Sequence, residues 1–201
     1  MGAARSRERR RMTDAARIPE RPLLRGERVW LRPLEERDMP AYVAGINDAE
    51  VGAMAGYSVP LGVGEAAAWL RQMTSMDGPR KGFFFAVCEL GDDRFIGTTS
   101  LKELNLLHGN AELAIFMDRD HIGSGWGTEA QRVLLDFAFR NVGLQRVYLT
   151  AFAGNTRAIR SYEKLGFQLE GRMRSAWRGV HGLEDGVLMA ILREEWEAQG
   201  D

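Results

Sequence analysis

Hydrophobic residues along the chain follow two periods, and each period predicts one kind of secondary structure. Segments of alternating apolar and polar residues, or short β-branched and aromatic runs between turn residues, predict strands. Segments in which apolar residues recur every three to four positions predict helices. The predicted strands are 29–34, 82–90, 94–104, 112–117, 146–151, 167–176 and 185–192. The predicted helices are 36–46, 65–73, 128–141 and a short one entered at Asn155 and left at Gly166.

The order of these elements predicts a mixed α/β (α+β) fold. A mostly antiparallel sheet of about seven strands would carry about four helices on its faces. The glycine- and proline-containing stretch 52–64 is predicted to be a loop. A single domain over residues 25–201 is expected, because 201 residues with 45% hydrophobic content can bury one sizeable core.

The first 24 residues differ in composition from the rest of the chain. Five arginines lie between Arg5 and Arg11 with almost no apolar neighbours. Such a segment cannot bury enough surface to order itself, so residues 1–24 are predicted to be a disordered basic extension. Met12 is an alternative start of the protein, and docking of the extension on RNA or a ribosome is a less favoured alternative.

Charge and composition narrow the class of function. The formal net charge of −1 lacks the positive excess of general nucleic-acid-binding proteins, so no nucleic-acid partner is expected. No apolar run approaches the roughly 20 residues that span a bilayer, so no membrane partner is expected either. The single cysteine, Cys88, lies in a predicted buried strand and has no partner for an internal disulfide, which fits a cytoplasmic protein.

The loop Ile122-Gly123-Ser124-Gly125-Trp126-Gly127-Thr128 leads directly into a predicted helix. Glycines let successive backbone amides turn toward one point. The helix start adds unpaired N–H groups and a partial positive charge, so the loop predicts a phosphate or pyrophosphate site. Neither common phosphate loop fits: a dinucleotide fingerprint needs glycine at position 128, and a Walker loop needs a lysine that this segment does not contain.

A second motif runs from Asn155 to Phe167. Asn155 is a favourable N-cap residue, and Gly166 suits the position just after a helix. Tyr162 follows Asn155 by seven positions, which is almost two helical turns. An amide and a phenol are therefore predicted to lie along one edge of this helix.

These two motifs, together with segments 112–117, 171–172 and 185–189, resemble the GNAT superfamily of acyl-CoA-dependent N-acetyltransferases. The resemblance is strongest to its RimJ/RimL-like and polyamine acetyltransferase branch, and it covers about residues 25 to 196. It implies acetyl-CoA as cosubstrate, with the fourth and fifth predicted strands splayed apart to admit the pantetheine arm. Ile122 departs from the Gln or Arg of many members, so weaker side-chain help for the phosphates is expected.

The resemblance also implies which residues contact the cosubstrate. The backbone of Ile115, Phe116 and Met117 would lie beside the pantetheine arm like an added strand. The amides of the loop from Ile122 to Thr128 would bind the pyrophosphate. Asn155 would contact the pantetheine, cap its helix, or do both.

Two side chains are candidates for the chemistry of acyl transfer. A phenol has a pKa of about 10 and is protonated at pH 7, so Tyr162, at the position that the family uses, is expected to be the general acid. Glu112 shares a strand face with Ala114 and Phe116 and is the candidate general base. A water-mediated role, an anchor for a cationic acceptor and a structural role stay open for Glu112. No metal site is expected, because the histidines and carboxylates lack ligand spacing.

The amine acceptor is not defined by these motifs. In this fold the first two helices and the closing hairpin would form its pocket, where Tyr57, Trp177 and His181 are the candidate lining residues, and Trp69 and Arg178 are further ones. Protein N-termini, polyamines, amino acids and aminoglycoside-like compounds all stay open, and so does a homodimer.

The leading hypothesis is an N-acetyltransferase that moves an acetyl group from acetyl-CoA to a primary amine by direct attack in a ternary complex. The alternative is a non-catalytic acyl-CoA-binding or regulatory module on the same scaffold. The presence of both Tyr162 and Glu112 favours the enzyme, because a module without chemistry would be free to lose them.

Overall fold

The computed structural model describes residues 23–56, 59–179 and 182–199, which form one eight-stranded sheet with helices on its faces. The strand order is β1-β2-β3-β4-β5-β6-β8-β7. Neighbouring strands are antiparallel except for β5 and β6, which are parallel. The strands are β1 (Leu24–Arg25), β2 (Val29–Pro33), β3 (Phe83–Glu89), β4 (Phe95–Asn105), β5 (Asn110–Met117), β6 (Arg146–Phe152), β7 (Gln168–Gly179) and β8 (Gly182–Leu192).

Helices connect the strands and cover both faces of the sheet. The α-helices are α1 (Met39–Ile46), α2 (Ala49–Met54), α3 (Val63–Thr74), α4 (Trp126–Asp136), α5 (Thr156–Lys164) and α6 (Arg193–Glu197). A 3₁₀ turn, Glu36–Asp38, leads into α1, and α4 continues as π-helix over Phe137–Val142. No helix within these described ranges is long and apolar enough to cross a membrane.

The predicted mixed, mostly antiparallel sheet is confirmed, but strand β1 and helices α2 and α6 were not predicted. Strand β1 has only two residues, too few to show alternation, and it pairs Leu24 with Leu31. Helix α2 lies partly in the segment predicted as a loop, and it begins where the Asp48 carboxylate accepts hydrogen bonds from two backbone N–H groups. Leu24 is buried in this strand, so the predicted extension ends at least one residue too late. The remainder of that extension, residues 1–22, lies outside the described residues.

The core fills both faces of the sheet. On β3, Phe85 and Val87 pack in the cluster that contains α4, whereas Phe84 and Cys88 pack in the cluster that contains α1 and α3. This alternation follows from the two-residue period of a strand. Burial raises the pKa of the Cys88 thiol to about 12, which agrees with a packing role for this cysteine.

A buried ion pair fixes the entry to α1. Arg32 on β2 donates from Nη1 to Oδ2 of Asp38 at 2.8 Å and from Nη2 to Oδ1 at 2.7 Å. The two residues are 7% and 4% exposed. Asp38 also accepts the backbone N–H of Glu35 at 2.9 Å. Because α1 forms one wall of the cleft described below, this pair positions part of that cleft.

Strands β5 and β6 separate after a short paired stretch. Their pairing runs only from Asn110 with Arg146 to Glu112 with Tyr148, although both strands continue further. The β6-facing edge of β5 beyond Glu112 therefore has no strand partner within the described sheet. The predicted splay of these two strands is confirmed.

Candidate active site

The gap between β5 and β6 opens into a cleft of about 1110 Å³. Its walls come from both faces of the sheet: α4 and α5 on one side, and α1, α2 and α3 on the other. The cleft brings most of the predicted site residues together. Among the described residues, its lining includes Glu112, Ile115, Phe116, Met117, Ile122, Gly123, Gly125, Gly127, Thr128, Asn155, Tyr162 and Trp177.

The glycine loop adopts a conformation that explains its glycines. Gly123 and Gly125 have φ values of +84° and +89°, in the left-handed region where a side chain is disfavoured. A Cβ on Gly127 would lie 3.2 Å from Cγ of Met117 on β5, so a side chain there would crowd the strand. Helix α4 begins at Trp126, directly after Gly125. The loop and the helix start thus form a cradle of the kind that binds pyrophosphate.

An arginine distant in sequence braces this loop. The Arg28 guanidinium lies over the Trp126 ring, 4.7 Å from its centroid, and its Nε lies 2.9 Å from Oε2 of Glu129. Glu129 also accepts the backbone N–H groups of Arg28 and Val29. Burial opposes the charge on Glu129, but these hydrogen bonds lower its pKa. The sequence motifs did not identify Arg28, because it lies 101 positions before Glu129.

Asn155 caps the start of α5, and Thr128 joins the two helices that border the cleft. Asn155 Oδ1 accepts the Ala158 N–H at 3.2 Å, so the predicted capping role is observed. Thr128 Oγ1 lies 2.7 Å from Ser161 Oγ, which ties the start of α4 to α5. The predicted contact of Asn155 with pantetheine stays a prediction.

Tyr162 projects from α5 into the cleft lining and is 8% exposed. Its ring packs against Phe167, with 6.0 Å between ring centroids. Burial raises the pKa of the Tyr162 phenol to about 12, so the hydroxyl carries its proton at neutral pH. With the residues that the structure describes, this hydroxyl makes no hydrogen bond, so its proton can be donated to a ligand in the cleft.

Glu112 lies where the two strands begin to separate. Its Oε1 is 3.2 Å from Nζ of Lys102 and accepts a hydrogen bond from Thr150 Oγ1 at 3.3 Å. Lys102 stands opposite Glu112 on β4, and Thr150 lies on β6. Lys102 therefore compensates the negative charge of Glu112, and the carboxylate is held at the cleft by two neighbouring strands.

Aromatic rings cover the wall on the side of α1 and α3. Tyr42 stacks on Trp69 with 6.4 Å between centroids, and Trp69 meets Phe84 edge-on at 5.5 Å. Elsewhere in the lining, Trp177 contacts Phe152 edge-on at 5.3 Å. Among the predicted acceptor residues, Trp69, Trp177 and Arg178 line the cleft.

Two predicted acceptor residues, Tyr57 and His181, lie outside the described residues. Within the described ranges, no three His, Cys, Asp or Glu side chains cluster in a way that could hold a metal ion.

A glycine cradle at a helix start, beside a strand edge left open by splaying, suits a phosphate-bearing ligand whose amides can pair with that edge. The family model described as an acetyltransferase (GNAT) domain matches residues 28–168. The chain belongs to this GNAT acetyltransferase family, and it is therefore an acyl-CoA-dependent N-acetyltransferase, as its motifs predicted.

Curated relatives agree with this assignment. The chain is 27% identical over 172 residues to an uncharacterized N-acetyltransferase, p20, of Bacillus licheniformis, covering 85% of this chain and 96% of the relative. It is 30% identical over 133 residues to a putative ribosomal N-acetyltransferase, YdaF, of Bacillus subtilis, covering 65% and 68%. It is 29% identical over 108 residues to spermidine N(1)-acetyltransferase of Escherichia coli, covering 54% and 58%. The predicted similarity to RimJ/RimL-like and polyamine acetyltransferases is thus confirmed.

The fold is also that of solved structures. Spermidine N-acetyltransferase from Vibrio cholerae, in complex with CoA and spermine, matches with a TM-score of 0.79 and 23% identity. The match covers 86% of this chain and 99% of that one.

Proposed function

We propose that this acetyltransferase acetylates, by direct attack in a ternary complex, an amine with an apolar body and at most one positive charge. The observation that carries the proposal is the composition of the cleft, which joins the glycine cradle, Tyr162 and Glu112 to walls rich in aromatic side chains.

The donor end of the cleft suits acetyl-CoA. The amides at the start of α4 would bind its pyrophosphate, and the open edge of β5 at Ile115, Phe116 and Met117 would pair with its pantetheine amides. Nothing but glycine fits the cradle without strain, since Gly123 and Gly125 have positive φ. The bound thioester supplies an activated acyl carbon, so the protein needs only to orient the amine and manage protons.

Tyr162 would act on the leaving sulfur. A thiol has a pKa of about 8.5, whereas burial raises the pKa of Tyr162 to about 12. Full proton transfer from this phenol to a thiolate would therefore be uphill. The Tyr162 hydroxyl would instead donate a strong hydrogen bond to the sulfur as the carbon–sulfur bond breaks.

Glu112 would act on the amine. An amine arrives as an ammonium ion and must lose a proton before its nitrogen can bond to the acyl carbon. Glu112, beside Lys102, would accept that proton directly or through one water molecule. Thr150, which donates a hydrogen bond to the same carboxylate, would keep it aimed at the strand gap.

The charges on the described walls argue against a polycationic acceptor. Glu112 is the one carboxylate on these walls, and Lys102 already pairs with it. The cationic side chains on the same walls are Lys102, Arg157, Arg160, Lys164 and Arg178. A polyamine would thus bring several ammonium groups to a cleft without spare negative charge, which is unfavourable.

The aromatic walls favour an apolar acceptor body instead. Trp69, which is 37% exposed, stacks beside Tyr42, and Trp177 also lines the cleft. A monoamine with an aromatic or aliphatic group, or a peptide N-terminus with apolar first residues, would bury that group between these walls.

An acceptor panel read by CoA thiol release tests this proposal. Spermidine, phenethylamine and a peptide beginning with Met-Leu would be compared by kcat/KM at equal concentrations of acetyl-CoA. We expect the two apolar acceptors to exceed spermidine by at least about tenfold, on the order of 1.4 kcal/mol in transition-state binding. Spermidine as the best acceptor would overturn the proposed acceptor class. Absence of release with every acceptor would favour the non-catalytic acyl-CoA-binding module.

A cytoplasmic location and a homodimer also stay predictions. Cell fractionation checks the first, and light scattering of the purified protein checks the second.

A further inference from the structure

One buried polar atom on the cleft wall has no protein partner. Gln131 lies in the second turn of α4, is 2% exposed and lines the cleft. Its Nε2 donates to the carbonyl oxygen of Gly127 at 3.1 Å. Its Oε1 is buried and accepts no hydrogen bond from the residues described.

The orientation of the Gln131 amide is set by its surroundings. Exchanging its oxygen and nitrogen would place Oε1 against the carbonyl oxygen of Gly127, and two acceptors repel each other. The side chain therefore presents its acceptor away from Gly127. A buried acceptor without a donor destabilises a fold, and Met or Leu would fill this position without that disadvantage.

The position of Gln131 on the helix indicates what approaches it. Thr128 stands three residues earlier and therefore on the same face of α4, where it bonds Ser161 of α5. Tyr162 follows Ser161 and lines the same cleft. The wall thus leads from the glycine cradle past Thr128 and Gln131, with the Tyr162 helix opposite.

We propose that Oε1 of Gln131 accepts a hydrogen bond from the pantetheine arm of acyl-CoA, an inference that rests on the proposed binding of this donor in the cleft. The phosphates of the donor are acceptors and cannot bond to Oε1, and the thioester carries no donor hydrogen. The pantetheine arm carries two amide N–H groups and a hydroxyl, all of which can donate to a carbonyl oxygen. Gln131 is then a positioning residue that holds the arm in register with Tyr162.

Replacing Gln131 with Met tests the proposal, because Met keeps the length of the side chain and removes the acceptor. Calorimetry would measure Kd for CoA and for adenosine 3′-phosphate 5′-diphosphate, which has the nucleotide and pyrophosphate but lacks the arm. We expect Gln131→Met to weaken CoA about tenfold and to leave the arm-less nucleotide within twofold. The melting temperature of the unliganded protein should stay equal or rise, because an unsatisfied buried acceptor is gone.

A matched control is Gln145→Met, which makes the same chemical change at an exposed glutamine outside the cleft lining. Its Nε2 also bonds a backbone carbonyl, that of Gly143, so the local bonding is comparable. We expect this control to leave both Kd values unchanged. Gln131→Leu provides a second variant if the Met variant does not fold.

Two results would overturn the role of Gln131: an unchanged CoA affinity, and an equal loss of affinity for both ligands. An equal loss accompanied by a lower melting temperature would show that Gln131 acts through the stability of α4. If the wild-type protein binds the arm-less nucleotide and binds CoA no more tightly, the pantetheine arm adds no affinity in this cleft and the inference fails. If it binds neither ligand, the proposed donor site itself is wrong, so the two failures are distinguishable.

Discussion

Removal of the Tyr162 hydroxyl should slow the acyl-transfer step strongly while leaving the stability of the fold nearly unchanged. The Tyr162→Phe variant keeps the ring, which packs against Phe167 with 6.0 Å between centroids, and deletes one oxygen atom. That oxygen makes no hydrogen bond within the described part of the chain. Its loss therefore leaves no protein group unpaired, and the free energy of unfolding should change by less than about 1 kcal/mol. For a chain of this size that is a melting shift below about 4 °C.

The effect on catalysis should be far larger. A positioned acid or hydrogen-bond donor in the transition state contributes about 10²- to 10⁴-fold to the rate, or roughly 3–5 kcal/mol of barrier. We therefore expect kcat of Tyr162→Phe to fall by at least about a hundredfold. The affinity for CoA should stay within about threefold, because the hydroxyl is assigned to the breaking bond and not to the ground state.

The pH dependence of the two proteins follows from the raised pKa. With a pKa of about 12 in the folded protein, the Tyr162 phenol stays protonated across the working range, so the deficit of the variant should be the same at pH 7 and pH 9.5. The raised pKa also stabilises the native state below pH 10, where an unfolded tyrosine is still protonated. This stability is lost as the pH rises from about 10 to 12, and Tyr162→Phe should lack that loss.

The assay is CoA thiol release under saturating acetyl-CoA and acceptor, together with calorimetric Kd values and thermal melts. Tyr148→Phe is a suitable control, because it removes a phenol on β6 that does not belong to the cleft lining. Turnover of Tyr162→Phe within threefold of the wild type would refute the donor role. A loss of CoA affinity equal to the loss of kcat would assign the hydroxyl to binding instead.

Three further predictions address the base, the cradle and the fold. Glu112→Gln should lower kcat/KM about a hundredfold at pH 7 and less at pH 9.5, where more of the acceptor is already deprotonated; an equal loss at both values would contradict proton transfer to Glu112. Gly125→Val should weaken CoA binding more than tenfold in calorimetry, because φ of +89° disfavours a branched side chain, and an unchanged Kd would remove the cradle from the binding site. Asp38→Ala should cost about 1.5–3 kcal/mol in denaturant unfolding by removing the two hydrogen bonds of buried Arg32 to this carboxylate, while the Arg32 ion pair with Asp93 remains, and a loss below about 1 kcal/mol would show that water replaces the carboxylate.

Local patterns predicted most of the fold because the responsible signals lie within single segments. The run of apolar residues in β3 and the turn residues around it mark a strand wherever that strand is placed. Strand β1 was not predicted, because two residues are too few to show a hydrophobic period. Their pairing with β2 forms only in the folded chain. Helix α2 was not predicted either, because its sequence contains Gly52 and few large apolar residues and so shows no clear helical period. Its start depends on the Asp48 cap.

The residues of the site differ in the same way: some are predictable from the local sequence, and others only from the folded structure. The cradle was predictable because positive φ at Gly123 and Gly125 imposes glycine on the sequence itself. Arg28 was not predictable, since it meets Glu129 only after the chain has folded. Gln131 was overlooked for a different reason: a polar residue in an amphipathic helix is usually exposed, and only its burial shows that it faces the cleft.

The proposed donor site depends mainly on backbone groups, whereas the proposed acceptor site depends on side chains that come from separate elements. In the proposed function the donor end would rely on backbone amides and on a strand edge, which need glycines and a splay but few particular side chains, so distant members of the family can share it. The acceptor end would rely on side chains from separate elements, such as Tyr42, Trp69 and Trp177, which only the fold brings together. Similarity to a spermidine acetyltransferase over about half of this chain therefore supports the donor end more than the acceptor end. The acceptor class therefore depends on the cleft itself, where Glu112, the one carboxylate among the described lining residues, is already paired with Lys102.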